Sequence, residues 1–154
     1  MSETPSITMS VQDVMKYLPH RYPFLLIDKV IECRHGEAIV AIKNVTINEG
    51  FCQGHFPQTP VFPGVLILEA MAQVSGVLAF ETRGTRPSSG INYLFGGVEK
   101  ARFRRPVIPG DRLNMKSAII ADRGWIMKFD CTAYVEDAVA CSAILTIVEQ
   151  RNDK

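Results

Sequence analysis

A proline-rich loop that leads directly into an apolar segment, residues 54–82, constrains the fold more than any other part of the chain. The loop contains three prolines: Pro57, Pro60 and Pro63. Each proline fixes its own φ and disfavours helical geometry at the preceding residue, so residues 54–63 are predicted to be extended or turned. Because proline is tolerated in the first turn of a helix, we expect a helix to begin near Gly64 and to run to about Thr82.

The predicted helix lacks a polar face of ordinary width. Apolar residues surround it, as is typical of a helix covered on nearly all sides: Val65, Leu66, Ile67, Leu68, Ala70, Met71, Ala72, Val74, Val77, Leu78, Ala79 and Phe80. Its short length, its proline boundary and the polar residues Glu69 and Gln73 make it a poor membrane span, so we expect no membrane insertion. A buried core helix inside a soluble fold is the better interpretation.

Short alternating segments predict about five or six strands, mostly arranged in hairpins. They cover residues 24–33, 38–45, 91–106, 113–121, 125–135 and 139–149. A bulge or a close backbone approach is expected at Gly96 and Gly97, which interrupt the third segment. Since an antiparallel sheet wrapped around the helix is the simplest way to bury it, the predicted fold class is α+β with a long central apolar helix.

The chain length of 154 residues indicates a single domain with a sizeable core. We expect a flexible N-terminal tail over residues 1–9, the domain over residues 10–149 and a C-terminal tail over residues 150–154. A sequence typical of a capping box, Ser10 to Asp13, predicts a short helix at the start of the domain. The hydrophobic content of 47% suggests that some apolar surface is buried against another subunit.

Charge and cysteine content exclude several classes of function. A net charge of +1 argues against a nucleic-acid binder that works through a global basic field. The cysteines are too widely spaced for a metal site, so we expect reduced, buried or half-buried thiols and neither a metal nor a cofactor: Cys33, Cys52, Cys131 and Cys141. The N-terminus has neither a basic region nor an apolar run, which predicts no signal peptide and a cytoplasmic location.

Glu69 is unusual because it places a carboxyl group in the middle of the apolar helix. Desolvating an unpaired carboxylate costs on the order of several kcal/mol. Gln73, four residues further along, lies on the same helix face and could hold the carboxyl group. Apolar surroundings favour the protonated form of a carboxyl group, which suits a general acid. From this residue alone, a catalytic acid and a structurally paired core glutamate are equally supported.

His55 precedes the helix, in the loop that the prolines stiffen. Histidine is the most common general base near neutral pH, and a rigid loop holds such a base in place. A single loop histidine is more often structural, but its combination with a buried Glu69 favours an acid–base pair. His20, in the loop between Pro19 and Pro23, is more simply a packing or loop-stabilising residue.

A long motif from Gly54 to Gln73 resembles the signature of the 3-hydroxyacyl-acyl-carrier-protein dehydratases of bacterial fatty-acid synthesis, the FabZ type. It reads Gly-His-Phe-Pro-x-x-Pro-Val-x-Pro-Gly-Val-Leu-Ile-x-Glu-Ala-Met-Ala-Gln. Three flanking stretches agree with the same family: residues 18–28, 101–107 and 109–111. The resemblance extends over residues 10–149 and implies the hot-dog fold, in which an antiparallel sheet wraps around a central helix.

This resemblance implies the removal of water from a (3R)-3-hydroxyacyl thioester on acyl carrier protein, which gives a trans-2-enoyl thioester in type II fatty-acid biosynthesis. It assigns the C2 proton to His55 and the departing C3 hydroxyl to Glu69, although the sequence leaves open which group carries which proton. In the family the two residues meet across a dimer interface, so we expect a homodimer, assembled further into a trimer of dimers. At the helix N-terminus after Pro63, the backbone N–H of Gly64 would stabilise charge on the thioester oxygen, and its lack of a side chain would let the thioester approach.

The acyl chain requires an apolar tunnel, for which we expect a lining of Phe62, Val65, Leu66 and Phe95. Phe62 stands where the family is expected to have methionine most often, which leaves the chain-length preference open. A basic run beside the tunnel would dock the acidic carrier protein, which presents a phosphopantetheine arm: Lys100, Arg102, Arg104 and Arg105. A solvated strand face explains any one of these cations nearly as well.

Three other functions are less well supported. The related dehydratase/isomerase has aspartate where Glu69 stands, and the intact histidine–glutamate motif disfavours a hot-dog thioesterase. A non-catalytic acyl-binding protein would require neither His55 nor Glu69. The dehydratase is therefore the main hypothesis, with the preference between carrier-protein and coenzyme A thioesters left open.

Overall fold

A seven-stranded antiparallel sheet wraps around one long helix in the computed structural model, which describes residues 5–152. The strands are β1 (Ser6–Met9), β2 (Lys29–Arg34), β3 (Ala38–Asn44), β4 (Ile91–Phe103), β5 (Arg112–Asp122), β6 (Ile126–Val135) and β7 (Ala138–Arg151). The helices are α1 (Val11–Val14) and α2 (Gly64–Arg83), with 3₁₀ turns at Gly50–Gln53 and Pro87–Ser89. The strand order is β1-β2-β3-β5-β6-β7-β4. The predicted α+β hot-dog arrangement is confirmed.

Helix α2 begins and ends close to its predicted limits. Pro63 is its N-cap, with φ −58° and ψ 132°, and Gly84 ends it in the left-handed conformation, with φ 66°. Every residue over 70–80 is buried. The helix is long and apolar enough to cross a membrane by composition, but 67% of its apolar window is buried inside the fold. It is therefore the core helix expected of a soluble protein.

Alternation along the central strands places one face of the sheet against α2. In β6, for example, Phe129, Cys131 and Ala133 are fully buried while their neighbours point away from the core. Buried polar contacts join helix and sheet at Ser75, whose hydroxyl lies 2.8 Å from that of Ser117 and 3.4 Å from Cys131 Sγ. The Ser75 hydroxyl also lies 2.8 Å from the backbone carbonyl of Met71, which satisfies it in the core.

Local sequence signals gave several further details correctly. Ser10 and Asp13 form the predicted capping box, since each side chain accepts a hydrogen bond from the other residue's backbone N–H. The pairing of β4 with β7 shifts register between Phe95 and Gly97, as the predicted bulge requires. A Cβ at Gly96 would lie only 2.6 Å from the Val148 side chain, so the backbone there approaches β7 closely.

The structure differs from the sequence prediction at both ends of the domain. Residues Ser6–Met9 lie within the predicted flexible tail, yet they form β1 and pair with β2. At the other end β7 continues to Arg151, which pairs with Ile91, so it enters the predicted C-terminal tail. Strand pairing orders these segments, and such long-range pairing leaves little signal in a short local sequence. The remaining tail positions, 1–4 and 153–154, lie outside the described residues.

The strand predicted over residues 24–33 begins only at Lys29. The preceding residues instead bond to a helix side chain, because the backbone N–H of Leu26 donates to Gln73 Oε1 at 2.8 Å. The backbone carbonyl of Phe24 accepts from Gln73 Nε2, also at 2.8 Å. This irregular segment, residues 18–28, forms a loop beside α2 and is called the 18–28 loop.

Candidate active site

Glu69 and Gln73 are bonded to each other on one face of α2, as their spacing predicts. Gln73 Nε2 donates to Glu69 Oε1 at 3.1 Å. Gln73 is itself only 2% exposed, and its other bonds, to Phe24 and Leu26, use the rest of its amide. The glutamine is therefore a fixed support that holds the Glu69 carboxyl group and the 18–28 loop at the same time.

The Glu69 carboxyl group opens into a cavity of about 370 Å³. The apolar part of its wall comes from the 18–28 loop, α2, β4 and β7: Leu18, Pro19, Ala72, Gly76, Phe80, Tyr93, Leu94, Phe95 and Ile147. The few polar side chains are Glu69, Gln73, His20 and Asn92. An apolar cavity with a small number of convergent polar groups is suited to a mainly apolar ligand.

His55 is held rigidly in the loop before α2. Its Nδ1 lies 2.7 Å from the backbone carbonyl of Val61, and its own backbone N–H donates to the carbonyl of Phe51. A carbonyl can only accept, so in the neutral ring the proton is assigned to Nδ1 and the lone pair to Nε2. The ring also contacts Phe56, at 4.4 Å between centroids. This arrangement presents an unprotonated nitrogen, as a general base requires.

Within the described part of a single chain, no contact joins His55 to Glu69. The described polar partner of His55 is Val61, whereas those of Glu69 are Gln73 and His20. His55 does not line the cavity into which Glu69 opens. One chain therefore positions each group but does not bring the two together.

The helix N-terminus at Gly64 is covered by an aromatic ring. A Cβ at Gly64 would lie 2.8 Å from Phe103 Cε1, so any larger residue would require this ring to move. Gly64 and Phe103 border a second hollow of about 370 Å³, together with Arg104 and Arg105. We expected glycine to leave room for a thioester here, but the Phe103 ring already occupies part of that space.

The predicted tunnel residues lie on different surfaces of one chain. Phe62 is 1% exposed and packs edge-on against Phe51, at 5.1 Å between ring centroids. Val65 is 70% exposed, and Leu66 is half-buried beside a separate groove. Phe95 lies on the wall of the Glu69 cavity. Of Val65 and Leu66, which are adjacent on α2, only Leu66 borders that groove.

Comparison with known proteins identifies the family. A family model described as FabA-like domain matches residues 18–144. The 3-hydroxyacyl-[acyl-carrier-protein] dehydratase FabZ of Psychrobacter arcticus is 58% identical over 134 residues, which cover 87% of this chain and 92% of that protein. The chain belongs to the FabZ dehydratase family. The FabZ of Shewanella denitrificans is 56% identical over 136 residues, which cover 88% of this chain and 89% of that protein. The predicted family resemblance is confirmed.

Solved structures agree with the fold of the FabZ family. The dehydratase heterocomplex ApeI:P from Xenorhabdus doucetiae superimposes with a TM-score of 0.75 at 21% identity, over 92% of this chain and 91% of that one. A hypothetical thioesterase with coenzyme A from Streptococcus pneumoniae gives 0.60 at 13% identity, over 81% and 87%. At such low identity these likenesses concern the fold alone.

In this member of the FabZ family, the predicted docking cations all lie on the surface. They are Lys100, Arg102, Arg104 and Arg105. Lys100 has φ 55°, and the β4–β7 pairing shifts register between Glu99 and Arg102. The strand is therefore distorted where the basic run begins, so that strict alternation of the side chains between two faces does not hold.

All four cysteines are free and buried, as predicted. Burial raises the pKa of Cys33 to about 12 and that of Cys141 to about 11. Burial also raises the pKa of Cys52, the thiol nearest to His55 in sequence. Such thiols remain protonated at neutral pH and are poor nucleophiles. No group of histidine, cysteine, aspartate and glutamate side chains within residues 5–152 could hold a metal ion.

Sequence reasoning missed the proximity of His20 to the site. Its Nε2 lies 3.6 Å from Glu69 Oε1, and both side chains line the same cavity. Burial lowers the pKa of His20, while the Glu69 carboxylate opposes that shift. The only local signal was a histidine in a proline-bounded loop, which is more typical of a packing or loop-stabilising residue.

Proposed function

We propose that this FabZ-family dehydratase uses His55 and Glu69 as its base and acid when it converts a (3R)-3-hydroxyacyl-[acyl-carrier-protein] into the trans-2-enoyl form. The observation that carries this assignment is that each residue is held separately, with one reactive atom left free. His55 keeps a lone pair on Nε2, and Glu69 projects from Gln73 into an apolar cavity. Acid–base groups of this kind contribute roughly 10²- to 10⁴-fold each.

The proposed reaction moves two protons. His55 Nε2 takes the proton from C2, the C3–O bond breaks, and Glu69 donates a proton to the departing hydroxyl so that water leaves. Negative charge that develops on the thioester oxygen is stabilised by the backbone N–H of Gly64, at the positive end of the α2 dipole. The sequence of steps transfers only protons, so it requires no cofactor.

We infer that a second copy of the chain completes each site. Strand β4 is a 13-residue edge of the sheet, and it exposes apolar side chains: Leu94, Phe95, Val98 and Phe103. Natural proteins protect long apolar edges, and pairing β4 with its copy would both protect this one and make a two-fold dimer. Such a dimer would place His55 of one subunit near Glu69 of the other. A trimer of such dimers is the expected larger assembly.

A dimer would also account for the dispersed tunnel residues. Val65, which is 70% exposed in one chain, would face the partner, and Phe95 would lie near the shared β4 edge. The acyl chain would then run between subunits, along walls that no single chain supplies. Phe62 acts behind this lining, as a buried support for the loop that holds His55.

The exposed cations near Gly64 fit an acidic carrier protein as the partner. Arg104 and Arg105 border the hollow at the α2 N-terminus, and Lys100 and Arg102 extend the positive surface along β4. Such a surface steers an acidic partner and weakens with salt. We place the reaction in the cytoplasm, with no role for nucleic acid.

Mixed dimers test the shared site most directly. Enoyl absorbance is followed with a short 3-hydroxyacyl carrier-protein thioester, for the wild type and for His55→Ala and Glu69→Gln. Each variant alone should be nearly inactive. After the two variants are unfolded together and refolded, half of the dimers are mixed and each holds one intact site, so about a quarter of the wild-type activity should return. No recovery from folded mixed dimers would refute the shared site, and release of free thiol by the wild type would indicate a thioesterase instead.

A further inference from the structure

His20 and Gln73 approach the same oxygen of Glu69. Gln73 Nε2 donates to Oε1 at 3.1 Å, and His20 Nε2 lies 3.6 Å from that oxygen. Both side chains therefore lie on the Oε1 side of the carboxyl group. The His20 and Glu69 side chains are 27% and 21% exposed, so their interaction is only partly screened by water.

The loop that carries His20 is fixed by the side chain that follows it. The Arg21 guanidinium donates to three backbone carbonyls: Met15 at 3.1 Å, Leu18 at 2.8 Å and His20 at 2.6 Å. The His20 ring also stacks on Phe24, with 6.2 Å between centroids and an interplanar angle of 22°. The ring is therefore held in one orientation, with Nε2 on the Glu69 side.

The surroundings of His20 favour the neutral ring. Its Nδ1 is buried and has no hydrogen-bond partner within residues 5–152, so a proton on that nitrogen would be unsatisfied. The neutral ring with its proton on Nε2 avoids this cost and directs an N–H towards Glu69. Burial lowers the pKa of His20 from 6.5, and Arg21 lowers it further, against the opposing effect of the Glu69 carboxylate. Tyr93, from β4, is the other titratable side chain on the cavity wall.

We propose that His20 is a positioning residue for Glu69, which together with Gln73 occupies Oε1 and leaves the acidic proton on Oε2. At 3.6 Å the His20 contact is longer than a hydrogen bond. It shortens when substrate fills the cavity, as catalytic contacts commonly do. This role rests on the proposed function, because it concerns the oxygen from which Glu69 donates its proton to the leaving hydroxyl.

The His20–Glu69 pair can hold one proton in two ways. If the proton lies on His20, the ring is a cation and Glu69 is a carboxylate, which has no proton to donate. Burial lowers the pKa of His20 and so favours the other arrangement, in which the ring is neutral and Glu69 keeps the proton. His20 therefore orients the carboxyl group without taking the proton that leaves with the hydroxyl.

Three variants test the proposal by steady-state kinetics. His20→Leu removes the donor and should lower kcat by about 10- to 100-fold, the effect of one hydrogen bond to the charge that develops as Glu69 gives up its proton, with KM changed less than about twofold. His20→Gln keeps an N–H near the Nε2 position and should recover most of that loss. His35→Gln changes an exposed turn histidine and should match the wild type.

A second measurement does not depend on activity. In the full-length protein with ¹⁵N-labelled histidine rings, NMR at neutral pH should show His20 as a neutral ring with its proton on Nε2, because Nδ1 is buried without a partner. A proton on Nδ1, or full kcat in a folded His20→Leu, would overturn the positioning role while leaving the dehydratase intact. A wild type that shows this tautomer but does not dehydrate would overturn the proposed function and, with it, this catalytic role.

Discussion

The two parts of α2 have different surroundings, although both are apolar in sequence. From residue 70 to residue 80 every residue of the helix is buried, under the sheet and the 18–28 loop. From Gly64 to Glu69 the helix is mostly half-buried or exposed, and Val65 reaches 70% exposure. The covered part stabilises the fold, while the open part holds the groups proposed to react. Apolar residues in the open part therefore indicate a surface for a second copy and a substrate, since hydrophobicity alone does not distinguish a core from an interface.

The largest expected effect is on activity alone, at the boundary between the two parts. Glu69→Gln should lower kcat by roughly 10²- to 10⁴-fold, because it removes the proposed acid. The free energy of unfolding should change little, since the amide oxygen introduced by this substitution can still accept from Gln73. As a matched control, Glu81→Gln changes a half-buried carboxyl just beyond the covered part, which accepts from Tyr17 at 2.6 Å, and should retain activity. Enoyl absorbance measures kcat, and urea unfolding measures the free energy of unfolding. Similar kinetics in both variants would contradict the distinction between the open and covered parts of α2.

Truncation inside the covered part should have the converse effect. Leu78 is fully buried, so Leu78→Ala should lower the free energy of unfolding by about 2–5 kcal/mol while kcat of the folded enzyme is retained. Val65→Ala should change that free energy by less than about 0.5 kcal/mol at high protein concentration, where the dimer is saturated. Its effect should appear instead as a weaker dimer in sedimentation. Equal losses of stability in the two variants would show that the open part is also core.

At the helix N-terminus the expected effect is smaller and falls mainly on catalysis. Gly64→Ala places a methyl group against the Phe103 ring, which is exposed enough to shift. The unfolding free energy should change by no more than about 1 kcal/mol, since alanine favours the helix by about that amount. Displacement of groups at the thioester position should lower kcat/KM by about 10²-fold. The double variant with Phe103→Leu should recover activity if the ring is responsible, whereas persistent loss would assign the effect to the methyl group itself.

The expected effect that is smallest near neutral pH is a loss of stability of the whole fold, which appears only at alkaline pH. Burial raises the pKa of Cys33 from 9.0 to about 12 and, with the bond to Glu81, that of Tyr17 from 10.0 to about 12. Both groups keep their protons longer in the folded state, so the unfolded state binds fewer protons between pH 9 and pH 12. Stability should therefore be complete below pH 9 and fall as the pH rises through this range. Urea titrations at each pH measure this loss of unfolding free energy. In Cys33→Val the loss should begin at higher pH, near the ordinary pKa of tyrosine.

The sequence predicted those features that depend on neighbouring residues. The limits of α2, the capping box at Ser10 and the bulge near Gly96 follow from short patterns and were all correct. Strand β1 was missed because a four-residue segment is ordered only by its pairing with β2, which lies far along the chain. Prediction from sequence is therefore most successful where periodicity and turn chemistry decide the structure, and least successful where pairing does.

The candidate site divides in the same way. The Glu69–Gln73 bond joins residues four apart on one helix, so their spacing was sufficient to predict it. The Phe103 ring over Gly64 and the proximity of His20 to Glu69 join distant parts of the chain, and no local pattern marks them. The family resemblance supplied the pairing of His55 with Glu69, which a single chain does not bring into contact.

The Gln73 amide has a consequence for how this enzyme can change over evolutionary time. Its oxygen is committed to the backbone N–H of Leu26, and its nitrogen serves both the Phe24 carbonyl and Glu69. Substitutions around Phe24 and Leu26, in the loop that borders the Glu69 cavity, would also move the support of the proposed acid. Acyl-chain preference and kcat are therefore expected to change together. A variant that accepts a different acyl chain should need a compensating substitution near Gln73 before its kcat recovers.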